Sequence, residues 1–215
     1  MLSYDRPQMV TNRKTRVQLA GWPLVGWCAL VLTTMTVIIL GVRGAGELGW
    51  RTVIRSTAQT SFMLFTSAFV ASALARAWPS PLTRWMLRNR RYLGVSFAVS
   101  HGLHLVAIIM LARALGDQFR LDRVTLVGGG LAYGFVAAMA ATSFDRTAAW
   151  LGPRVWKRLH TTGGYYIWLI FLLQYAVLVT HSLLYAPFAV AALVVMGLRM
   201  AARLRVSRLA SPTNA

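Results

Sequence analysis

The stretch Arg91-Tyr-Leu-Gly-Val-Ser-Phe-Ala-Val-Ser-His-Gly-Leu-His-Leu-Val-Ala-Ile-Ile-Met110 holds two histidines, His101 and His104, in a run that is otherwise apolar or small. A run of this length, at ~1.5 Å per helical residue, covers the ~30 Å hydrocarbon layer of a bilayer. With lipid in place of water, each backbone N–H and C=O must bond within its own segment or within a closed barrel. The run is continuous rather than alternating, so it reads as a helix. It extends over about 92–114, and five similar runs stand at about 22–42, 57–77, 124–144, 161–183 and 186–200. With 57% hydrophobic and 13% charged residues, the chain of 215 residues has too little polar surface for a soluble domain. The expected fold is an all-α integral membrane protein, a six-transmembrane-helix bundle forming one domain over residues 1–215.

A net charge of +18 would point to nucleic acid if it covered a soluble surface. Here it follows the connections between the runs. Arg6, Arg13, Lys14 and Arg16 precede the first run, and Arg76, Arg84, Arg88, Arg90 and Arg91 separate the second from the third. Arg146, Arg154, Lys157 and Arg158 separate the fourth from the fifth, and Arg199, Arg203, Arg205 and Arg208 close the chain, which puts 17 of the 23 basic residues on one side. The other side has Arg43, Arg51, Arg55, Arg113, Arg120 and Arg123, partly balanced by Glu47, Asp117 and Asp122. The positive-inside rule therefore places both termini in the cytoplasm. Nucleic acid drops out as a partner. Membrane lipid is the expected one, at ~1 kcal/mol per basic residue near an anionic surface.

The polar, basic first 21 residues do not read as a cleavable signal peptide, so the first helix is expected to serve as an uncleaved anchor. Cys28 stands alone, which excludes an intramolecular disulfide and a cysteine-held metal cluster. The acidic residues fall in connections or tails, which removes the usual equipment of a proton-coupled transporter. Thr33, Thr34, Thr36, Thr60, Ser61, Thr66 and Ser67 read as helix-packing residues, and Gly128-Gly-Gly130 with Gly134 as points of close helix approach. The connections Trp78–Arg91 and Asp145–His160 each carry proline and two tryptophans and read as segments anchored at the membrane surface.

An ionisable side chain inside a bilayer is costly and is a functional candidate by default. The third and fifth helices enter from the same side, run parallel and can face one another. His160 then lies level with Arg90 and Arg91. Fourteen residues further along each helix come His104 and Gln174, at matching depth ~21 Å toward the outside. A haem held between two helices needs an axial donor and small residues where the backbones approach the macrocycle. Gly94, Gly163 and Gly164 supply room on the cytoplasmic side.

Leu74-Ala-Arg76, Arg90-Arg-x-Leu-Gly94 followed by Leu103-His104-Leu105, and Leu151-Gly152 followed by Trp156-x-x-Leu-His160 form a set with a distinctive order. From about Arg51 to the end of the fifth helix, that set resembles the ferric reductase-like transmembrane superfamily. The nearest branch is the haem-binding membrane subunit of the bacterial periplasmic methionine sulfoxide reductase system. The resemblance implies that His104 is a third-helix haem ligand and His160 the fifth-helix histidine near the cytoplasmic face. Arg90 stands where oxidases of the superfamily carry another histidine. It further implies one or two haem b groups, a quinone or flavin supplied by a partner, a quinol or flavoprotein donor, and a periplasmic redox partner protein. The bacterial cytoplasmic (inner) membrane is the implied location, multi-pass.

The chain departs from that branch at Gln174-Tyr175, where a His-Tyr pair is usual. Neither level then has a histidine on both helices. A five-coordinate haem on His104, a ligand from His181, or ligation by His101 would each answer this. Arg90, Arg91 and Arg158 are the candidate partners for haem propionates. Each histidine also has a bland reading: His104 a buried imidazole on Gln174 or a backbone carbonyl, His101 an interhelical hydrogen bond, His160 and His181 interfacial polar residues. Two functions follow. One is a haem b-containing membrane electron-transfer subunit, part of an oxidoreductase and not a self-contained enzyme, that moves electrons from quinol or a separate flavoprotein toward an acceptor at the outer face. The other is a haem-free membrane assembly or interaction protein of the same fold.

Overall fold

A computed structural model of the chain describes residues 19–210, with side chains as far as residue 205. The N-terminal charges Arg6, Arg13, Lys14 and Arg16 and the Arg208 side chain lie outside the described residues. The helices are α1 (Trp22–Arg43), α2 (Glu47–Ala77), α3 (Pro81–Arg88), α4 (Arg90–Leu115), α5 (Arg123–Ala141), α6 (Asp145–Leu151), α7 (Pro153–His181) and α8 (Ala186–Ala210). Among the described residues there is no strand. Six helices, α1, α2, α4, α5, α7 and α8, are long and apolar enough to cross a membrane.

Several helices outrun their apolar stretches. α2 starts at Glu47 rather than near 57, because a carboxylate in the first turn suits the helix dipole and Arg51 Nε reaches Glu47 Oε1 one turn away at 2.7 Å. α7 starts at Pro153 rather than near 161, set by Gly152 at φ 75° and proline in the first turn. α8 continues past residue 200 to Ala210. The two surface connections are themselves partly helical. Ser80 begins α3 with a reciprocal cap, accepting from the Thr83 N–H at 3.2 Å while its own N–H donates to Thr83 Oγ1 at 2.9 Å.

α2 is the most buried of the six spans and α1 and α8 the least. Its inner stripe repeats every fourth residue, and Gly49, Val53, Thr57, Ser61, Phe65, Phe69 and Ala73 are all buried. The small half of this stripe packs against antiparallel α4, where Ser61 Oγ donates to Ser100 Oγ at 2.9 Å and Ser100 Oγ to the Thr57 carbonyl at 3.3 Å. Lipid offers no hydrophobic drive between helices, so close packing and such bonds hold the pair. Ser100→Ala is expected to lower stability by ~0.6 kcal/mol, read as a shift of the unfolding midpoint in mixed micelles.

The glycine-rich start of α5 is not a point of close approach. A Cβ on Gly129, Gly130 or Gly134 would meet nothing within 4 Å, whereas on Gly128 it would make ordinary contacts with Ile170 and Tyr166 of α7, whose tyrosine hydroxyl donates to the Gly128 carbonyl at 3.0 Å. The close approach is on α7 instead, where a Cβ on Gly163 would stand 2.6 Å from Met139 Sδ and 3.0 Å from the Phe135 ring. The Trp85 indole donates to the Leu19 carbonyl at 2.8 Å, and Ala202 packs against Val70 and Ala73. Both ends of the described chain thus lie at the end of the bundle that carries α3. Arg91 Nη1, 2.6 Å from Asp145 Oδ1, brings α6 to the same end. This is the basic end.

Candidate functional site

At the basic end, α2, α4, α5 and α7 separate around a cavity of about 680 Å³. Its walls are apolar or small: Phe65 and Phe69 from α2, Gly94, Phe97 and Ala98 from α4, Val136 and Met139 from α5, Gly164 from α7. Toward the middle of the bundle, Phe65 stacks on Phe69 at 5.2 Å and leans on Phe97 at 5.4 Å and Phe171 at 5.5 Å. This aromatic layer floors the cavity. α4 and α7 face each other across it. Gly94 widens it most, since a Cβ there would meet nothing within 4 Å, and on Gly164 a Cβ would be 3.4 Å from Phe69. Gly163 turns toward α5 and is not part of the wall.

His160 lines the cavity, and two neighbours fix its ring. Trp156 stacks on it with centroids 4.2 Å apart, and Thr142 Oγ1 lies 3.1 Å from Nε2. The Thr142 hydroxyl already donates to the Ala138 carbonyl at 2.7 Å, so it accepts from His160 and leaves Nδ1 as the lone-pair nitrogen. The Trp156 indole in turn donates to the Thr142 carbonyl at 3.0 Å. Thr142, just past the end of α5, and Trp156 of α7 form a brace for one imidazole.

Of the two partners left open for His104, Gln174 and a backbone carbonyl, the structure has the carbonyl. Gln174 is exposed, and its neighbour Tyr175 turns inward, 5.0 Å from Phe62 and 4.9 Å from Phe188. Rise per residue fixes the height of a side chain but not its direction around the helix, and four residues on from Phe171 it is Tyr175 that shares the inner face. His104 looks to α2, where its Nδ1 is 3.0 Å from the Ile54 carbonyl and 3.1 Å from Thr57 Oγ1. A carbonyl can only accept, so Nδ1 carries the proton. His101 stacks on His104 at 5.3 Å and on Tyr133 at 4.6 Å, and its buried Nδ1 has no partner among the described residues. His181, the last residue of α7, is exposed.

The arginines divide. Arg90 lines the cavity and donates from Nε to the Ala68 carbonyl at 3.1 Å. Arg91 also lines it and holds Asp145 at the mouth. Arg158 is elsewhere, in a shallow hollow with Arg154, Lys157, Thr161 and Thr162. A cation that sequence reasoning assigned to the tail takes its place: Arg199 of α8 reaches the cavity, donates to the Phe69 carbonyl and lies over the Phe69 ring, 3.9 Å from its centroid. The signal was its position one residue before the end of the last apolar run. Among the described residues, Arg88, Arg90, Arg91, Lys157 and Arg199 line the cavity against a single acid, Asp145.

The site is therefore a cationic, aromatic-floored space with one braced imidazole. No protein-family model matches the chain, and neither a curated protein nor a solved structure does.

Proposed function

We propose that the chain is a haem b-containing membrane electron-transfer subunit whose cofactor occupies the cavity at the basic end. The observation that carries the reading is the coincidence there of an apolar, aromatic-floored space, an imidazole and an excess of cations. A haem is a flat apolar ring with a donor requirement at its centre and two carboxylates on one edge. The volume of about 680 Å³ falls in the ~300–1,000 Å³ range of cofactor sites. The buried Nε–H groups of Arg91 and Arg199 have no partner among the described residues, as expected of donors that await an acceptor. His160 is the candidate iron ligand, and Gly94 and Gly164 leave room for the ring.

Bound haem supplies the one-electron chemistry that no side chain of this chain offers. The protein does the rest. Trp156 and Thr142 hold His160 in one orientation, the Phe65, Phe69 and Phe97 layer keeps water from entering through the bundle, and the Arg91–Asp145 pair ties α4 to α6 at the mouth. In this reading the donor is quinol or a separate flavoprotein, and the acceptor is a periplasmic redox protein at the outer face. Lys and Arg asymmetry supports cytoplasmic termini, and the resemblance supports a bacterial inner membrane.

One observation favours the haem-free reading. The His160 Nε2 and His104 Nδ1 are both hydrogen-bonded within the protein, as in imidazoles that only pack helices. Haem retention separates the two. Purified His160→Ala is expected to lose the pyridine haemochrome signal, and His104→Ala, which alters a contact between α2 and α4, to keep most of it. Equal retention by both variants would remove His160 from the iron, and a colourless parent protein would leave the assembly role.

A further inference from the structure

Arg199 stands in the last membrane-spanning helix with its charge directed into the bundle, a placement that is expensive unless something meets it. What meets it is incomplete. Its guanidinium donates to the Phe69 carbonyl and covers the Phe69 ring, and both contacts orient the group without neutralising it. One residue earlier on α2, the Ala68 carbonyl accepts from Arg90 Nε at 3.1 Å. Consecutive carbonyls of one helix thus hold two guanidiniums on the same rim of the cavity. The acid that could have answered them, Asp145, is taken by Arg91 at 2.6 Å, and the buried Arg199 Nε–H has no partner among the described residues. The missing component is an anion. A guanidinium presents its donors in a planar fork that matches a carboxylate on two bonds at once.

We infer that Arg199, brought in by α8 beside Arg90, is the clamp for the carboxylates of the cavity ligand, so that the last membrane-spanning helix takes part in cofactor recognition. This rests on the haem reading of the cavity. It assigns α8 a duty beyond covering the bundle.

The test compares haemin with haemin dimethyl ester, which has the same ring and iron but no free carboxylate. Each is titrated into detergent-solubilised haem-depleted protein, with binding read from the Soret band and from quenching of tryptophan fluorescence, since Trp156 borders the cavity. The parent protein is expected to prefer haemin to the ester by roughly tenfold or more. Arg199→Gln should lose that preference while binding the ester as the parent does, which also certifies an intact cavity, and Arg199→Lys should recover part of it. A parent protein that binds both ligands equally, or an Arg199→Gln protein that keeps the preference, overturns the clamp and leaves the haem reading standing. A parent protein that binds neither overturns both. The parent comparison decides the matter even if Arg199→Gln fails to fold.

Discussion

Phenylalanine in place of Gly94 is expected to abolish haem retention and to leave the haem-free fold intact. Position 94 lies on the cavity wall, and a Cβ there meets nothing within 4 Å. The aromatic ring would therefore enter empty space rather than a packed neighbour. Replacing a glycine in the second turn of α4 also gains a few tenths of a kcal/mol of helix propensity, since phenylalanine ranks below alanine but above glycine, which offsets minor crowding. Pyridine haemochrome analysis and thermal unfolding of the same preparations check the two halves separately. Loss of haem with an unchanged or higher midpoint is the expected pair of results. Full haem retention in Gly94→Phe would mean that the cavity is not the cofactor site.

The second large effect falls on the fold. Gly49→Val should destabilise the α1–α2 hairpin by about 1–3 kcal/mol or more, because a Cβ at position 49 collides with the backbone carbonyl oxygen of Gly44 and comes within 3.2 Å of Leu40 Cδ2. A flexible side chain could swing aside. A carbonyl in a turn whose glycine sits at φ 77° cannot move without unwinding the end of α1. α1 has few other buried anchors, Leu24 and Leu32, so the penalty should appear as detachment of α1, seen as new protease sensitivity near residues 43–47 together with a lower unfolding midpoint. Gly26→Ala and Gly41→Ala, where a Cβ meets nothing within 4 Å, are the matched controls and should be neutral or mildly stabilising.

The six spans were legible because a bilayer imposes a length and a composition that few other structures share. Their ends were not, since apolar runs measure the hydrocarbon layer and a helix does not stop there. Glu47, Arg51, Arg154 and Lys157 are helical in spite of their charge, and the signals that placed them, an i to i+4 ion pair in α2 and a Gly152-Pro153 start in α7, are local rather than hydropathic. The gathering of His160, Arg90, Arg91, Gly94 and Gly164 around one space followed from the parallel third and fifth spans, α4 and α7. Direction around a helix axis was the hidden variable. It separated His104 from Gln174, turned Tyr175 inward in its place, and sent Arg158 to a different hollow from Arg90. Arg199 was hidden for another reason, since counting basic residues by side treats every arginine near a span end as solvated, whereas this one lies over Phe69.

Haem at the basic end of this bundle would show in a dithionite-reduced minus oxidised optical spectrum with haem quantitation. The material is the parent protein purified from haem-replete cells. The expected result is a b-type difference spectrum with about one haem per chain. A colourless protein, with no Soret absorption after reconstitution with haemin, would contradict that reading and leave the haem-free assembly or interaction role.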